Sequence, residues 1–165
     1  MKSIYCPHCG MRLLERIIGD EGLVPYCESC SKPIFDHAPV CILTMVINEF
    51  EEVALLRQDY VTKTHKVFVA GYYKPGESAE DTVKREVYEE IGQTVESLKF
   101  VESFYHERLD TLFLCYITSV KKAPFVLSKE VDDAAWYKLP IDESLLNPNG
   151  VAYIIYQRYK HHEIG

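Results

Sequence analysis

The stretch that most restricts what this chain can become is residues 78 to 91, SAEDTVKREVYEEI. Ala79, Val83, Val87 and Ile91 recur every four residues, the spacing of one apolar stripe on an α-helix. Ser78, with Asp81 three residues on, is a capping-box-like start, and Gly92 supplies the C-cap. At roughly 100° per residue, Glu90 falls at the edge of the stripe, Glu86 a little further round and Glu89 further still. Like charges at helical spacing repel and weaken a helix slightly. A sequence that keeps such an arc either leaves it in solvent, the usual fate of a charge run, or uses it to hold a cation.

The segments around this helix read as strands. VCILTMVIN (Val40 to Asn48) is an apolar, β-branched run of the kind that forms a buried strand, and EVALLRQ (Glu52 to Gln58) is its hairpin partner. KVFVAGYY (Lys66 to Tyr73), SLKFVESFYH, TLFLCYITSV and AAWYKLP supply further strands, and GVAYIIYQRYKHH an amphipathic C-terminal helix. The expectation for residues 38–165 is one α/β (α+β) domain.

The first 37 residues differ in kind. Cys6, Cys9, Cys27 and Cys30 form two C-x2-C pairs with seventeen residues between them, a spacing that suits one tetrahedral Zn2+. GDEG (Gly19 to Gly22) fits the turn of a hairpin between the pairs, and Gly10 fits a knuckle that needs positive φ. Two disulfides or a redox pair suit a chain without a signal peptide less well. A ribbon this short has too little core to stand alone, so structural zinc is expected to hold it together. KPIFDHAP reads as a linker, and Cys41 and Cys115 as buried small hydrophobes.

Charge narrows the partners. A net charge of −7 argues against a protein that coats DNA or RNA, yet permits a phosphorylated ligand if divalent cations lie between the two sets of oxygens. No apolar run approaches the ~20 residues of a membrane span, and the N-terminus lacks a hydrophobic signal core. The expected compartment is the cytoplasm, with no membrane partner.

Read in order, Gly71, five residues, Glu77, seven residues, then Arg85-Glu86-Val87-Tyr88-Glu89-Glu90-Ile91-Gly92-Gln93 resembles the Nudix box, G-x5-E-x7-R-E-U-x-E-E-x-G-U, where U is aliphatic. Only Gln93 departs from it. The resemblance implies a Nudix-type α/β/α sandwich with a mixed sheet, preceded by the ribbon. It also implies hydrolysis of a nucleoside diphosphate linked to a second group, with Mg2+ or Mn2+ activating water. By the same resemblance Glu89 and Glu90 are metal ligands, Glu86 is a third ligand or the general base, and the backbone carbonyl near Gly71 also ligates. Arg85 and Glu77 pair to hold the loop and helix in shape.

The ribbon, the KEVDDAAWYKLP segment and NPNGVAYIIYQRY further resemble the zinc-ribbon NADH pyrophosphatases of that family. This implies that Glu130 is a further metal ligand, with Asp132 and Asp133 as competitors, and that Tyr72 either stacks on a substrate base or packs in the core. Trp136 reads as core. The branch carries S-Q-P-W-P-F-P after the box; here the aligned residues are Ser103-Phe104-Tyr105-His106-Glu107-Arg108-Leu109. Specificity for NADH is therefore open, and His106 and Arg108 are candidates for substrate contact, with Glu107 a candidate ligand. A place in a solvent-exposed loop between strands is the equal alternative for each of these three residues. An NADH- or NAD-like dinucleotide or ADP-ribose is the favoured substrate, a 5′-capped RNA is the one nucleic acid left open, and a homodimer stays open too. The competing class is a non-catalytic nucleotide sensor using the ribbon for nucleic-acid or protein contact, against which stand the intact box acids and the non-basic ribbon.

Overall fold

The computed structural model describes residues 3–35 and 37–161, and the chain divides between Ala38 and Pro39 into two units. In the first, β1 (Leu14–Ile17), β2 (Leu23–Cys27) and β3 (Lys32–Pro33) form an antiparallel sheet in that order. The β1–β2 turn falls on Gly19–Glu21, flanked by Gly19 and Gly22 at positive φ, and Gly10 adopts φ +72° at the cysteine knuckle. The buried cluster is Cys6, Cys27 and Ile34, with Leu13 and Cys30 packed against it, and Val24 is buried as well. So few apolar side chains supply little driving force.

The second unit is built on β4 (Val40–Asn48), which lies parallel to β8 (Thr111–Val120) from Val40 opposite Leu112 to Asn48 opposite Val120. On its other edge β4 is shared. Cys41 to Thr44 pair antiparallel with β6 (Val69–Tyr72), while Ile47 pairs with Val53 of β5 (Glu52–Arg57). β7 (Val95–His106) lines the outer edge of β8 with register shifts near Val95 and Phe100, and β9 (Asp133–Lys138) lines β5. The result is a mixed sheet.

Alternation along β4 sends side chains to two cores. Ile42 and Val46 meet Val83, Val87 and Ile91 of α1 (Ala79–Ile91). Cys41, Leu43 and Met45 lie in the opposite core with Ala152, Ile155 and Tyr156 of α2 (Val151–His161). A helix on each face gives the α/β/α sandwich expected from the sequence. The Asp81 amide donates to the Ser78 hydroxyl oxygen at 3.1 Å, and Gly92 takes the left-handed cap at φ 69°.

Two details differ from the sequence reading. Lys66 and Val67 are not in the third strand but make isolated bridges to Leu146 and Leu56. The C-terminal helix begins at Val151, one residue past Gly150; His162 lies outside the described residues. Ser103 to His106 are strand, as the SLKFVESFYH reading expects, their backbones pairing with β8 from Leu114 to Thr111, and a helical turn at Glu107–Leu109 follows. Cys41 and Cys115 are buried thiols pushed up to about 12 by burial. Trp136 packs against the α1-side core and stacks on Phe125 with ring centroids 4.9 Å apart.

Candidate functional site

The carboxylates of α1 sink into the protein in the order the helix geometry dictates. Glu89 is half exposed, Glu86 mostly covered, and Glu90 only 4% exposed. Gln58, at the end of β5, donates from Nε2 to Glu90 Oε1 at 3.0 Å. Glu90 Oε2 is buried with no hydrogen-bond partner. Burial is the main reason that the Glu90 carboxyl is pushed up to about 8, with Glu86 and Glu130 adding like-charge repulsion and the Gln58 amide opposing it. The Glu86 carboxyl is raised as well, again chiefly by burial. Leaving a buried acceptor unmatched costs free energy that a natural fold ordinarily avoids. The donor set here is hard oxygen, crowded and short of positive charge, so the residues present fit a divalent cation of the Mg2+ or Mn2+ type.

Arg85 braces this cluster. Its Nε and Nη2 donate to the two oxygens of Glu77 at 2.7 and 3.0 Å, and Nη2 also donates to the Tyr72 carbonyl at 3.1 Å. Nη1 donates to Glu86 at 2.5 Å and to Glu89 at 3.0 Å. Hydrogen bonds from Arg85 hold the Glu77 carboxyl down to about 2. A planar guanidinium suits this forked task, which lysine would not perform. Gly71 matters for a steric reason: a Cβ there would lie 2.0 Å from Glu86 Cδ. The glutamate thus packs flat over the β6 backbone.

The cluster borders a cavity of about 950 Å3, roomy enough for a nucleotide derivative. Glu86, Glu89, Arg85 and Gly71 form one part of its wall, with Glu130. His106 and Arg108 line it as well, which brings the altered signature segment to the same site as the box. The His106 Nδ1 accepts the Leu109 amide at 3.2 Å, so Nε2 is the nitrogen left for a ligand. Tyr72 is 60% exposed and lines the cavity, which removes the core-packing alternative for its ring. The competitors of Glu130 are occupied elsewhere: Asp132 accepts the Asp59 amide at 2.7 Å, and Asp133 pairs with Lys66 at 3.7 Å. Glu107 is not in the cavity wall. Sequence reasoning missed Gln58, Tyr60 and Lys66 in this region. No motif points to them, because their contacts are made across the fold.

In the ribbon, the four sulfurs of Cys6, Cys9, Cys27 and Cys30 all lie within 4.8 Å of one another. Burial opposes ionisation of Cys6, but the amides of His8 and Cys9 outweigh it and bring the thiol down to about 6. Hydrogen bonding to Cys9 and Cys27 pushes Cys30 up to about 12. Four thiols this close are a soft-ligand set of the kind a Zn2+ ion would complete.

An acidic helix bearing buried carboxylates beside a nucleotide-sized cavity, on a mixed sheet covered on both faces, is the frame of an enzyme class that works on phosphorylated compounds through divalent metal. Residues 37–149 match the family model of the NUDIX domain, and the chain belongs to the Nudix family, whose hydrolases use divalent metals. It is 25% identical over 150 residues to an NAD-capped RNA hydrolase NudC of Chromobacterium violaceum, covering 90% of this chain and 55% of that protein. A NudC of Pectobacterium carotovorum is 28% identical over 153 residues, covering 90% and 56%. The chain thus spans about half the length of the curated relatives it matches. Its fold matches a Nudix hydrolase from Nitrosomonas europaea with a TM-score of 0.72 at 17% identity, over 100% of this chain and 94% of that one. The Nudix domain of Shewanella oneidensis NrtR, solved with ADP ribose, matches with a TM-score of 0.62 at 13% identity, over 84% and 94%. Among the described residues no helix is long and apolar enough to cross a membrane.

Proposed function

We propose that this protein is a pyrophosphohydrolase that cleaves the diphosphate linkage of a nucleoside diphosphate derivative. Glu86, Glu89, Glu90 and Glu130, with the Gly71 carbonyl, would hold Mg2+ or Mn2+. Such ions, when bound, neutralise phosphate oxygens and lower the pKa of bound water. The chain's own residues do the rest. Gln58 holds one oxygen of Glu90 and leaves the other for the cation. Burial raises the Glu86 carboxyl above its ordinary range and Arg85 fixes its position, so Glu86 is placed to take the proton of the attacking water. Arg85 and Glu77 keep the loop and helix in register without touching the reaction. Tyr72 offers an exposed ring for a base, and His106 and Arg108 offer donors to the second half of the substrate.

The observation that carries this reading is Glu90: a buried carboxylate with one oxygen unmatched, on the same helix as Arg85, Glu86 and Glu89, which line the cavity with Gly71. The likeness to NAD-capped RNA hydrolases supports a substrate built on the NAD diphosphate, free as NADH or NAD, as ADP-ribose, or at the 5′ end of an RNA. Residues 1–37 act as a ribbon folded on structural Zn2+, residues 38–165 as the hydrolase domain, and a reducing compartment such as the cytoplasm suits the free cysteines. The test is a panel of NADH, NAD, ADP-ribose, diadenosine polyphosphates, nucleoside triphosphates and NAD-capped RNA, with Mg2+ and with Mn2+, read by mass spectrometry. Glu90→Gln is the blank. Release of a mononucleotide by the natural chain alone is expected. Equal traces from both, or none from zinc-loaded folded protein, would overturn the assignment.

A further inference from the structure

The box position where this chain departs from its family has a specific structural partner. Gln93 is fully buried. Its Nε2 donates to the carbonyls of Ala123 and Pro124, each at 3.2 Å, and its Oε1 accepts the Ala123 amide at 3.3 Å. An aliphatic side chain has neither donor nor acceptor and would make none of these bonds. The residues it grips begin an irregular segment, 121–132, that leaves β8 and returns to β9.

That segment is strapped onto the end of α1. The Val126 amide donates to the Ile91 carbonyl and the Ser128 amide to the Glu90 carbonyl, both at 3.1 Å. These are carbonyls that a helix end leaves without intrahelical partners. Gly92 makes room, since a Cβ there would lie 2.6 Å from Val126 Cβ. Phe125 stacks on Trp136. Beyond these anchors the chain turns at Ser128, whose hydroxyl oxygen accepts the Glu130 amide at 3.2 Å, and the Asp132 amide donates to the Arg57 carbonyl at 2.9 Å. Glu130 sits in the turn between the two moorings, in the wall of the cavity.

We propose that Gln93 is a positioning residue for the active site: it moors the strap that delivers Glu130 to the cation cluster of Glu86 and Glu90. This rests on the reading of Glu130 as a metal ligand. The physical reason is one of contacts. Ala123 and Pro124 are exposed to solvent on their outer side. Without the carboxamide their backbone groups turn to water, and the first mooring of the strap is lost while the helix and sheet persist. The backbone bond of Glu130 is local, its amide donating to Ser128 Oγ, so its reach into the site depends on the strap as a whole. Groups that orient a metal ligand commonly change metal affinity by about 10–100-fold when removed.

The experiment compares Gln93→Leu, Glu130→Gln and the double variant in the intact zinc-loaded chain. Free Mn2+ is followed by electron paramagnetic resonance without substrate, kcat and KM with ADP-ribose or the substrate the panel identifies, amide exchange at Val126 and Ser128 by mass spectrometry, and Trp136 emission. Leucine keeps the volume of the buried side chain. Gln93→Leu is expected to stay folded, to exchange those amides faster, and to lose Mn2+ affinity and kcat about tenfold. The double variant is expected to be no worse than Glu130→Gln, because both changes act on one group. Effects of the two single changes that multiply would overturn the positioning role while leaving Glu130 a ligand. A Glu130→Gln protein that binds Mn2+ and turns over like the natural chain would instead remove Glu130 from the site, and this inference with it. Should Gln93→Leu fail to fold, Gln93→Asn, which keeps the amide but shortens its reach, gives the same comparison.

Discussion

The two units of this chain bring like-charged or charge-prone ligands together for opposite ends. In the ribbon, four sulfurs converge beside Ile34, and among the described residues Val24 is the one further buried apolar side chain. In the larger unit, two cores built on either face of β4 hold the fold, and the carboxylates of α1 are gathered at some cost to it. On the proposed reading, metal in the first would stand in for a hydrophobic core, and in the second for the partner that Glu90 Oε2 lacks. The comparison teaches that a metal-shaped cluster has to be weighed against the core beside it before it is called structural or catalytic.

The largest expected effect separates the units. Cys27→Ser, or a strong chelator under reducing conditions, should remove zinc binding of about 10–16 kcal/mol from the ribbon. Amide signals of residues 3–35 should collapse while Trp136, the single tryptophan, keeps its native emission. Loss of both together would mean that the larger unit needs the ribbon to fold. Next comes Glu90→Gln, which should lower turnover by roughly a thousandfold through loss of a charge-stabilising group. Retained turnover in that variant would break the catalytic half of the comparison.

Gly71→Ala is smaller and purely geometric. The new methyl would meet Glu86, whose Cδ lies 2.0 Å from its place, and push that carboxylate out of line. Turnover should fall by about a hundredfold, with native emission intact; an unchanged rate would show that the seat of Glu86 is loose. Smallest is the brace. Glu77 is held at about 2, below its ordinary 4.5, so its contribution is present above pH 4.5 and is lost as pH falls through that window. In Glu77→Gln the stability of the larger unit, read by Trp136 emission, should be lower at neutral pH and should fall less steeply between pH 4.5 and 2. A parallel acid curve in both proteins would take Glu77 out of the account.

Much of this was legible from local signals. Ser78 and Gly92 mark α1 because capping is a matter of neighbours in sequence, and the four-residue period of its valines orders the glutamates by depth. The four cysteines announce their own site. What stayed hidden is non-local. Gln58 reaches Glu90 across 32 residues, and Gln93 reaches Ala123 across 30. The segment 121–132 has no period to read, since its backbone bonds go to a helix end and a side chain rather than to a ladder.

The central claim is that the carboxylates of α1 oppose folding of the metal-free unit and are kept for a divalent cation. The direct measurement is thermal unfolding of the natural chain and Glu90→Gln, followed by Trp136 emission near pH 8 with zinc retained, first without Mg2+ or Mn2+ and then with saturating Mn2+. The account predicts that without Mn2+ the variant melts at least as high as the natural chain, and that Mn2+ raises the melting temperature of the natural chain but not of the variant. A variant that melts lower without Mn2+, and gains as much from the ion as the natural chain does, would contradict it.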